Sequence, residues 1–341
     1  QVEANDALSF EMVQQIGLAL GMEHETFAAP KNIYIIIMIR LALISSSETA
    51  KIYAGLSTRL HRATWTVFAP LDSSDLSQAL GSSANITSPK DLFSKETDTF
   101  DAVVIDADSP AAESLANTAL NLGKPVLIGA IGKWIVTIGE AKALLIPAHP
   151  WRFIPSIQAV RRSVDDGRLG APGLLRIHRW HPSCPVKIPI SERLIPDVDL
   201  ACWLFDDTPD SVWSLKSAAN EDYLQFHLGF ANGGMAIIDL SASLPSGGDY
   251  YSLTMIGGTG AAYADDHHNM NLLYSGGQPN AIRTNQGRIE LVQQLQEFVD
   301  VIDGKQEQSV YLADTCRALQ VVEQILESAN SREVVKREGP K

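Results

Sequence analysis

The chain has 341 residues, 45% of them apolar and 20% charged, with a net charge of −13. That length allows two domains with a core each, and the acidic balance, without any basic run, argues against a nucleic-acid or anionic-membrane partner. Three widely spaced cysteines, Cys184, Cys202 and Cys316, form no CxxC pair, which argues against a disulfide framework or a zinc site and for a reducing, cytoplasmic setting.

Residues 1–30 read as an N-terminal extension. Asn5 or Asp6 suits the cap of a helix carrying Leu8, Met12, Ile16 and Leu20, with Gly21 at its end. Packing on the body and a role in assembly both stay open. No basic region followed by an apolar stretch occurs here, so no secretory signal is expected. Residues 33–44 are apolar apart from Tyr34 and Arg40, too few to span a bilayer, and read as a buried strand.

The chain is organised around the stretch 38–60. Ile39, Leu41, Ala42, Leu43 and Ile44 suit a strand covered on both faces, as in a parallel sheet. A turn over 45–49 (SSSET) leads to helical spacing over 50–60, with Ile52, Leu56 and Leu60 on one side. Strand, small-residue turn and helix is the arrangement that seats a dinucleotide phosphate on a helix N-terminus. That fingerprint needs glycines for the sharp turn and for close approach to the pyrophosphate. Here Ser45 and Ser47 stand at the first two glycine positions and Ala50 at the third, and Glu48 adds a negative charge.

A second strand follows over 63–69 (ATWTVFA), with Asp72 just beyond it, where an acidic residue would meet ribose hydroxyls. Residues 73–80 read as a helix and 101–105 as a buried strand. A helix over 110–122 has Pro110 in its first turn and Gly123 at its end. A strand over 125–128, a helix over 138–145 and a strand entered at 144–148 complete a βαβ alternation, which predicts a doubly wound parallel sheet over 31–148.

From 149 to 341 the pattern changes. A helix over 155–167 ends at Asp165-Asp166-Gly167. Strand-like runs come next at 174–180, 211–215, 224–230, 235–240 and 251–256, with Asn232-Gly233 as a hairpin signal. A helix over 196–205 interrupts them, and helices over 291–302 and 313–328 close the chain. Strands with few helices predict an open, mainly antiparallel sheet in an α/β domain.

These pieces, in this order, resemble the Gfo/Idh/MocA family of oxidoreductases. IRLALISSSETAKIYAGL is similar to the family's first strand and helix, and DAVVIDADSPAAESLANTALNLGKPVLI to its fourth-strand region. RFIPSIQAVRRSVDDGRLGAPGLLRI is similar to the start of the second domain, DVDLACWLFDDTPDSVWSL to the substrate-domain helix, and DTCRALQVVEQILESANSREVV to the closing helix. The resemblance covers about residues 38–335. It implies a Rossmann domain binding NAD or NADP, a sugar-like or cyclitol-like ligand, and an open sheet used for homo- or hetero-oligomers.

The resemblance also implies a Glu-Lys-Pro motif and a histidine before the substrate-domain helix. The chain reads Gly129-Ala130-Ile131-Gly132-Lys133-Trp134 at the first and Pro196 at the second, and the polar loop after Ile105 is Asp106-Ala107-Asp108. Glycine and proline supply no acid or base. Lys133, one place late, and Asp197 are the expected catalytic candidates. Ser45, Ser47, Glu48, Thr49 and Asp72 are the expected cofactor residues, of a cofactor that the substitutions leave open to loss. His149, Arg152, Arg179 and His181 are the expected ligand contacts, with Trp151 and Trp180 beside them. Asp265-Asp266-His267-His268 reads as a polar hairpin tip, and no metal is expected.

Three functions remain open on sequence: an NAD(P)-dependent polyol oxidoreductase, a catalytically degenerate member that binds a ligand or a catalytic paralogue, and a lyase or glycosidase-like enzyme with a repurposed cleft.

Overall fold

Burying each large aliphatic side chain of a strand stabilises the chain by roughly 1.5–3 kcal/mol, and the run after Met38 places four of them, Ile39, Leu41, Leu43 and Ile44, within a single strand. In the computed structural model, which describes residues 38–337 apart from 73–75, 77–79, 81–84, 95–98, 108, 140–143, 184–187, 219–221, 246–249, 266–269, 274–279, 284–287 and 306–308, this run is β1 (Ile39–Ser45). It is the centre of a parallel sheet. β2 (Ala63–Pro70) lies on one side, followed by β3 (Asn85–Ile86). β4 (Ala102–Asp106), β5 (Val126–Ile128) and β6 (Leu145–Pro147) lie on the other. The order β3-β2-β1-β4-β5-β6 is the doubly wound order, with its switch point between β1 and β4.

Alternation sends the β1 side chains to two cores. Ala42 and Ile44 pack with Val103, Ile105 and Ile128 under α3 (Ser109–Asn121), while Leu41 and Leu43 pack with Val104, Leu127 and Ile146 on the opposite face. That opposite face is covered by α1 (Ser47–Ala54) and by α7 (Ile289–Ile302), whose Leu295, Phe298 and Val299 come from the far end of the sequence. Among the described residues this half also contains α2 (Pro89–Ser94) and α4 (Trp134–Gly139).

A 3₁₀ turn (Pro150–Phe153) and α5 (Pro155–Asp165) lead to the second sheet. It contains β7 (Pro172–Pro182), β8 (Ser211–Lys216), β9 (Tyr223–Gly229), β10 (Met235–Leu244), β11 (Tyr250–Gly257), β12 (Ala261–Asp265) and β15 (Val335–Lys336), in the order β12-β11-β7-β10-β9-β8-β15. Every described pairing in it is antiparallel except β7 with β10. β13 (Met270–Leu273) and β14 (Asn280–Arg283) form a separate ribbon. α6 (Ile190–Phe205) and α8 (Ser309–Ser331) pack on the inner face of the large sheet. At the β9–β10 hairpin Gly233 takes a φ of +87°, as the Asn-Gly signal requires.

Several boundaries differ from expectation, each for a local reason. α1 starts at Ser47, because the Ser46 side chain accepts from the Thr49 amide and caps it, and its end at Ala54 is followed by Gly55 and a 3₁₀ turn over Ser57–Arg59. The helix expected over 138–145 instead runs from Trp134 to Gly139. α6 begins at Ile190, so Pro196 lies within it rather than in its first turn. Burial of Leu194, Ile195, Val198 and Leu200 on both sides of the proline outweighs the one backbone bond that it removes. The expectations for residues 1–30, for most of 73–80, for Cys184 and for the tip at 266–268 fall outside the described residues.

Candidate functional site

The C-terminal ends of β1, β4 and β5 open onto a cavity of about 980 Å³. Its walls come from the start of α1 (Ser46, Thr49), the segment after β2 (Leu71, Asp72), Asp106, Gly129 and the loop after it, His149 to Trp151, and α6 (Glu192, Ile195, Pro196, Asp199). This is where open α/β sheets bind ligands, at the switch point and beyond the strand ends.

At the α1 corner the expected cofactor residues come together. The Ser47 amide donates to Asp72 Oδ2 at 2.8 Å, and the Ser47 hydroxyl donates to Asp72 Oδ1. Ser46 Oγ accepts from the Thr49 amide at 3.2 Å. Ser45 is buried and donates to the Ser46 carbonyl, and Glu48 is exposed. A fingerprint seat offers bare backbone amides to a pyrophosphate. Here two of the first three amides of α1 are bonded to the chain's own side chains. A second anion about 4 Å from the Asp72 carboxylate would meet a repulsion of about 4 kcal/mol. Asp72 is chemically suited to accept from ribose hydroxyls, but the residues around the helix start do not fit a pyrophosphate in its ordinary place.

Asp106, at the end of β4, is not among the site residues expected from sequence. Its carboxylate stands beside Gly129, with Oδ1 3.2 Å from where a Cβ on that glycine would lie. Gly129, the first residue after β5, therefore leaves room for a carboxylate from the neighbouring strand. Open space lies in front of Asp106, yet the protein around it disfavours the charged form, and this burial raises its carboxyl above the ordinary range.

On the opposite wall His149 and Asp199 form a buried cluster with Arg152, which lies behind them and does not line the cavity. His149 Nδ1 lies 3.2 Å from Asp199 Oδ2, and Arg152 Nε and Nη2 donate to the two Asp199 oxygens. Arg152 Nη1 reaches Asp314 at 2.8 Å. His149 Nε2 lies 2.8 Å from Thr315 Oγ1, which donates its single hydroxyl proton to the Tyr311 carbonyl. The two ring nitrogens of His149 are thus held by Asp199 on one side and Thr315 on the other. Burial by itself would raise the Asp199 carboxyl, but the charges and hydrogen bonds of His149 and Arg152 outweigh it and hold the group far below the usual carboxylate range.

The other expected residues lie elsewhere. Asp197 points away from the cavity, into an ion pair with Arg179, whose Nη2 donates to Asp197 Oδ1 at 2.6 Å. Both are almost wholly buried, at 1% and 2% exposure. The Arg179 guanidinium packs against the adjoining rings of Trp151 and Tyr251, 3.5 and 4.1 Å from their centroids. Arg179 Nη1 is buried without a hydrogen-bond partner, and the two ring faces are what it meets instead. A buried arginine so held is a structural clamp, not a ligand contact. Lys133 is also outside the lining: its side chain is 77% exposed, with Nζ 2.5 Å from Glu323 Oε1 on α8. The cause is its position in the open turn before α4, one residue past the motif's lysine. His181 is half-buried near the end of β7 and does not line the cavity. Trp180 lies on the outer face of the sheet, where it donates to Asp239 at 2.6 Å. Burial pushes the Cys202 thiol up to about 12, so it is inert as a nucleophile. Among the described residues no group of three or more metal-ligating side chains occurs, and no helix is long and apolar enough to cross a membrane.

The architecture is a two-sheet α/β fold, and comparison with known proteins agrees. No family model matches the chain. An inositol 2-dehydrogenase of Rhizobium meliloti (strain 1021) is 28% identical over 196 residues, which is 50% of this chain and 59% of that protein. The match thus spans less than two thirds of the relative's length. The structure of a myo-inositol 2-dehydrogenase from Lactobacillus plantarum superposes with a TM-score of 0.75 at 20% identity, over 88% of this chain and 100% of that one. A scyllo-inositol dehydrogenase from Lactobacillus casei, with bound NAD(H) and scyllo-inositol, superposes at 0.73 and 18% identity, over 88% and 99%. The chain shares the fold of these dehydrogenases at low sequence identity.

Proposed function

We propose that the protein binds a sugar-like or cyclitol-like ligand in the 980 Å³ cavity and is degenerate as an NAD(P)-dependent oxidoreductase. The observation that carries this reading is what stands around the cavity. Carboxylates of Asp106 and Asp199 offer acceptors for hydroxyls, and Trp151 offers an apolar surface for a ring face. The lysine nearest the expected catalytic position faces Glu323 instead. The histidine that does line the cavity, His149, has both nitrogens committed to Asp199 and Thr315. The names of the similar proteins, inositol dehydrogenases, support the ligand class.

Trp151 supplies the readout. Titration with myo-inositol and scyllo-inositol should change tryptophan fluorescence saturably, with no turnover when NAD or NADP is added. Steady hydride transfer to either cofactor would overturn the degenerate part of the reading. Failure of every polyol to bind would overturn the ligand class.

A second part of the proposal concerns partners. Met235, Leu215, Tyr223, Ile256, Trp180 and Tyr263 are all exposed on the outer face of the large sheet, Met235 at 55% and Tyr263 at 70%. They share that face with polar residues such as Arg176, His178, Gln225 and Asp239, a mixed composition common at interfaces between chains, and pairing of that face with a second chain, identical or paralogous, is expected. Sedimentation of wild type against Met235→Lys tests it, with dissociation the supporting outcome.

A further inference from the structure

We infer that Asp72 is a resident occupant of the anion seat at the start of α1, and that the cavity takes a cationic polyhydroxylated ligand, an aminated sugar or cyclitol, whose ammonium pairs with Asp106. This rests on the polyol reading above and narrows it.

Two independent features carry the inference. The first is the filled seat. A helix N-terminus attracts an anion through its unpaired amides and its dipole. α1 already has a carboxylate there, bound in two places to Ser47, by the amide at 2.8 Å and by the hydroxyl. The Thr49 amide is capped by Ser46. A pyrophosphate must displace Asp72 or lie beside it, and the exposed Glu48 carboxylate adds to the repulsion.

The second feature is Asp106. Unlike Asp199, which is matched by Arg152 and His149, Asp106 has no hydrogen-bond or ion-pair partner among the described residues. Asp106 is exposed at the cavity wall, so its carboxylate is accessible to a ligand donor. Gly129 keeps the space beside it clear, since a side chain there would press on Oδ1 at 3.2 Å. An ammonium supplies both charge and donors, and the remaining hydroxyls of the ligand have Asp199 and Trp151 on the facing wall.

The test is calorimetric titration of the full chain with four polyols and one dinucleotide: glucosamine against glucose, scyllo-inosamine against scyllo-inositol, and NADH. The expected result is at least tenfold tighter binding of each amine than of its neutral partner, with no NADH binding up to millimolar concentration. Asp106→Asn should reduce the amine preference to below threefold. Asp72→Ala, which frees the Ser47 amide, should bring NADH binding into the measurable range. Equal binding of amines and neutral polyols would overturn the inference and leave the polyol reading standing. Loss of all polyol binding would overturn both. Micromolar NADH binding by the wild type, or no gain in Asp72→Ala, would overturn the filled seat.

Discussion

Two aspartates two residues apart on α6 each hold an arginine, and they serve different ends. Asp197 faces Arg179 in a site closed off by Trp151 and Tyr251. Asp199 faces Arg152 and His149 and forms part of the cavity wall. Residues two apart on a helix project about 200° from one another, so the same residue type meets a sealed interface on one side and a ligand-sized space on the other. Charge and burial do not distinguish the two; the access of each does. A buried ion pair is thus weak grounds for assigning function until the open space beside it is known.

The comparison can be broken most forcefully at the sealed pair. Asp197→Ala leaves the Arg179 guanidinium buried and uncompensated, at an expected cost of about 3–5 kcal/mol. Chemical denaturation measures it, and a loss under about 1 kcal/mol would show that the ring faces suffice. Replacing both partners together, Arg179→Met with Asp197→Leu, should restore most of the loss, because no stranded charge remains.

At the open pair the stability effect is smaller and the binding effect larger. Asp199→Asn keeps the shape, and Arg152 retains Asp314, so a cost of about 1–3 kcal/mol is expected. Polyol affinity should fall at least tenfold. Unchanged affinity would remove Asp199 from the site.

A pH series sharpens the difference further. The folded Asp199 carboxyl titrates below its unfolded value, so the stability it contributes is present above about pH 4 and is lost as the pH falls through the acid range. Wild type should therefore lose stability from about pH 4 downward more steeply than Asp199→Asn. Parallel curves would show that the cluster does not depend on the ionised carboxylate.

The smallest effect belongs to an exposed pair, Lys133 with Glu323. Lys133→Ala should change stability by no more than about 0.5 kcal/mol and leave polyol affinity within twofold. A tenfold loss of binding would return Lys133 to the site.

Much of the fold is legible in the sequence because it is written in local patterns. The apolar run of β1, the alternation of β2 and the Asn-Gly hairpin each state their conformation within a few residues. The α6 start is not legible, because Pro196 suggests a first turn while the burial that carries the helix through it comes from distant strands. The site is legible in outline. Position and residue type point to the α1 corner, His149 and Arg152. They single out Asp197, whereas Asp199 is the one that lines the cavity, because sequence gives no sign of which side of a helix will be left open. Asp106 reads as a departure from a polar loop, and only its place beside Gly129 shows it as a wall of the cavity.

The return of α7 to the first sheet has a consequence for how the protein is made. All six strands of that sheet lie between residues 39 and 147, yet one of its faces is closed by Leu295, Phe298 and Val299. A ribosome that has finished the sheet has still to deliver the second sheet before the cover arrives. For that interval Leu41, Leu43, Val104 and Ile146 present an apolar surface to the surrounding medium. The nascent chain is therefore a natural client for a holding chaperone, and a product truncated before residue 289 should aggregate rather than persist as a half-sized domain.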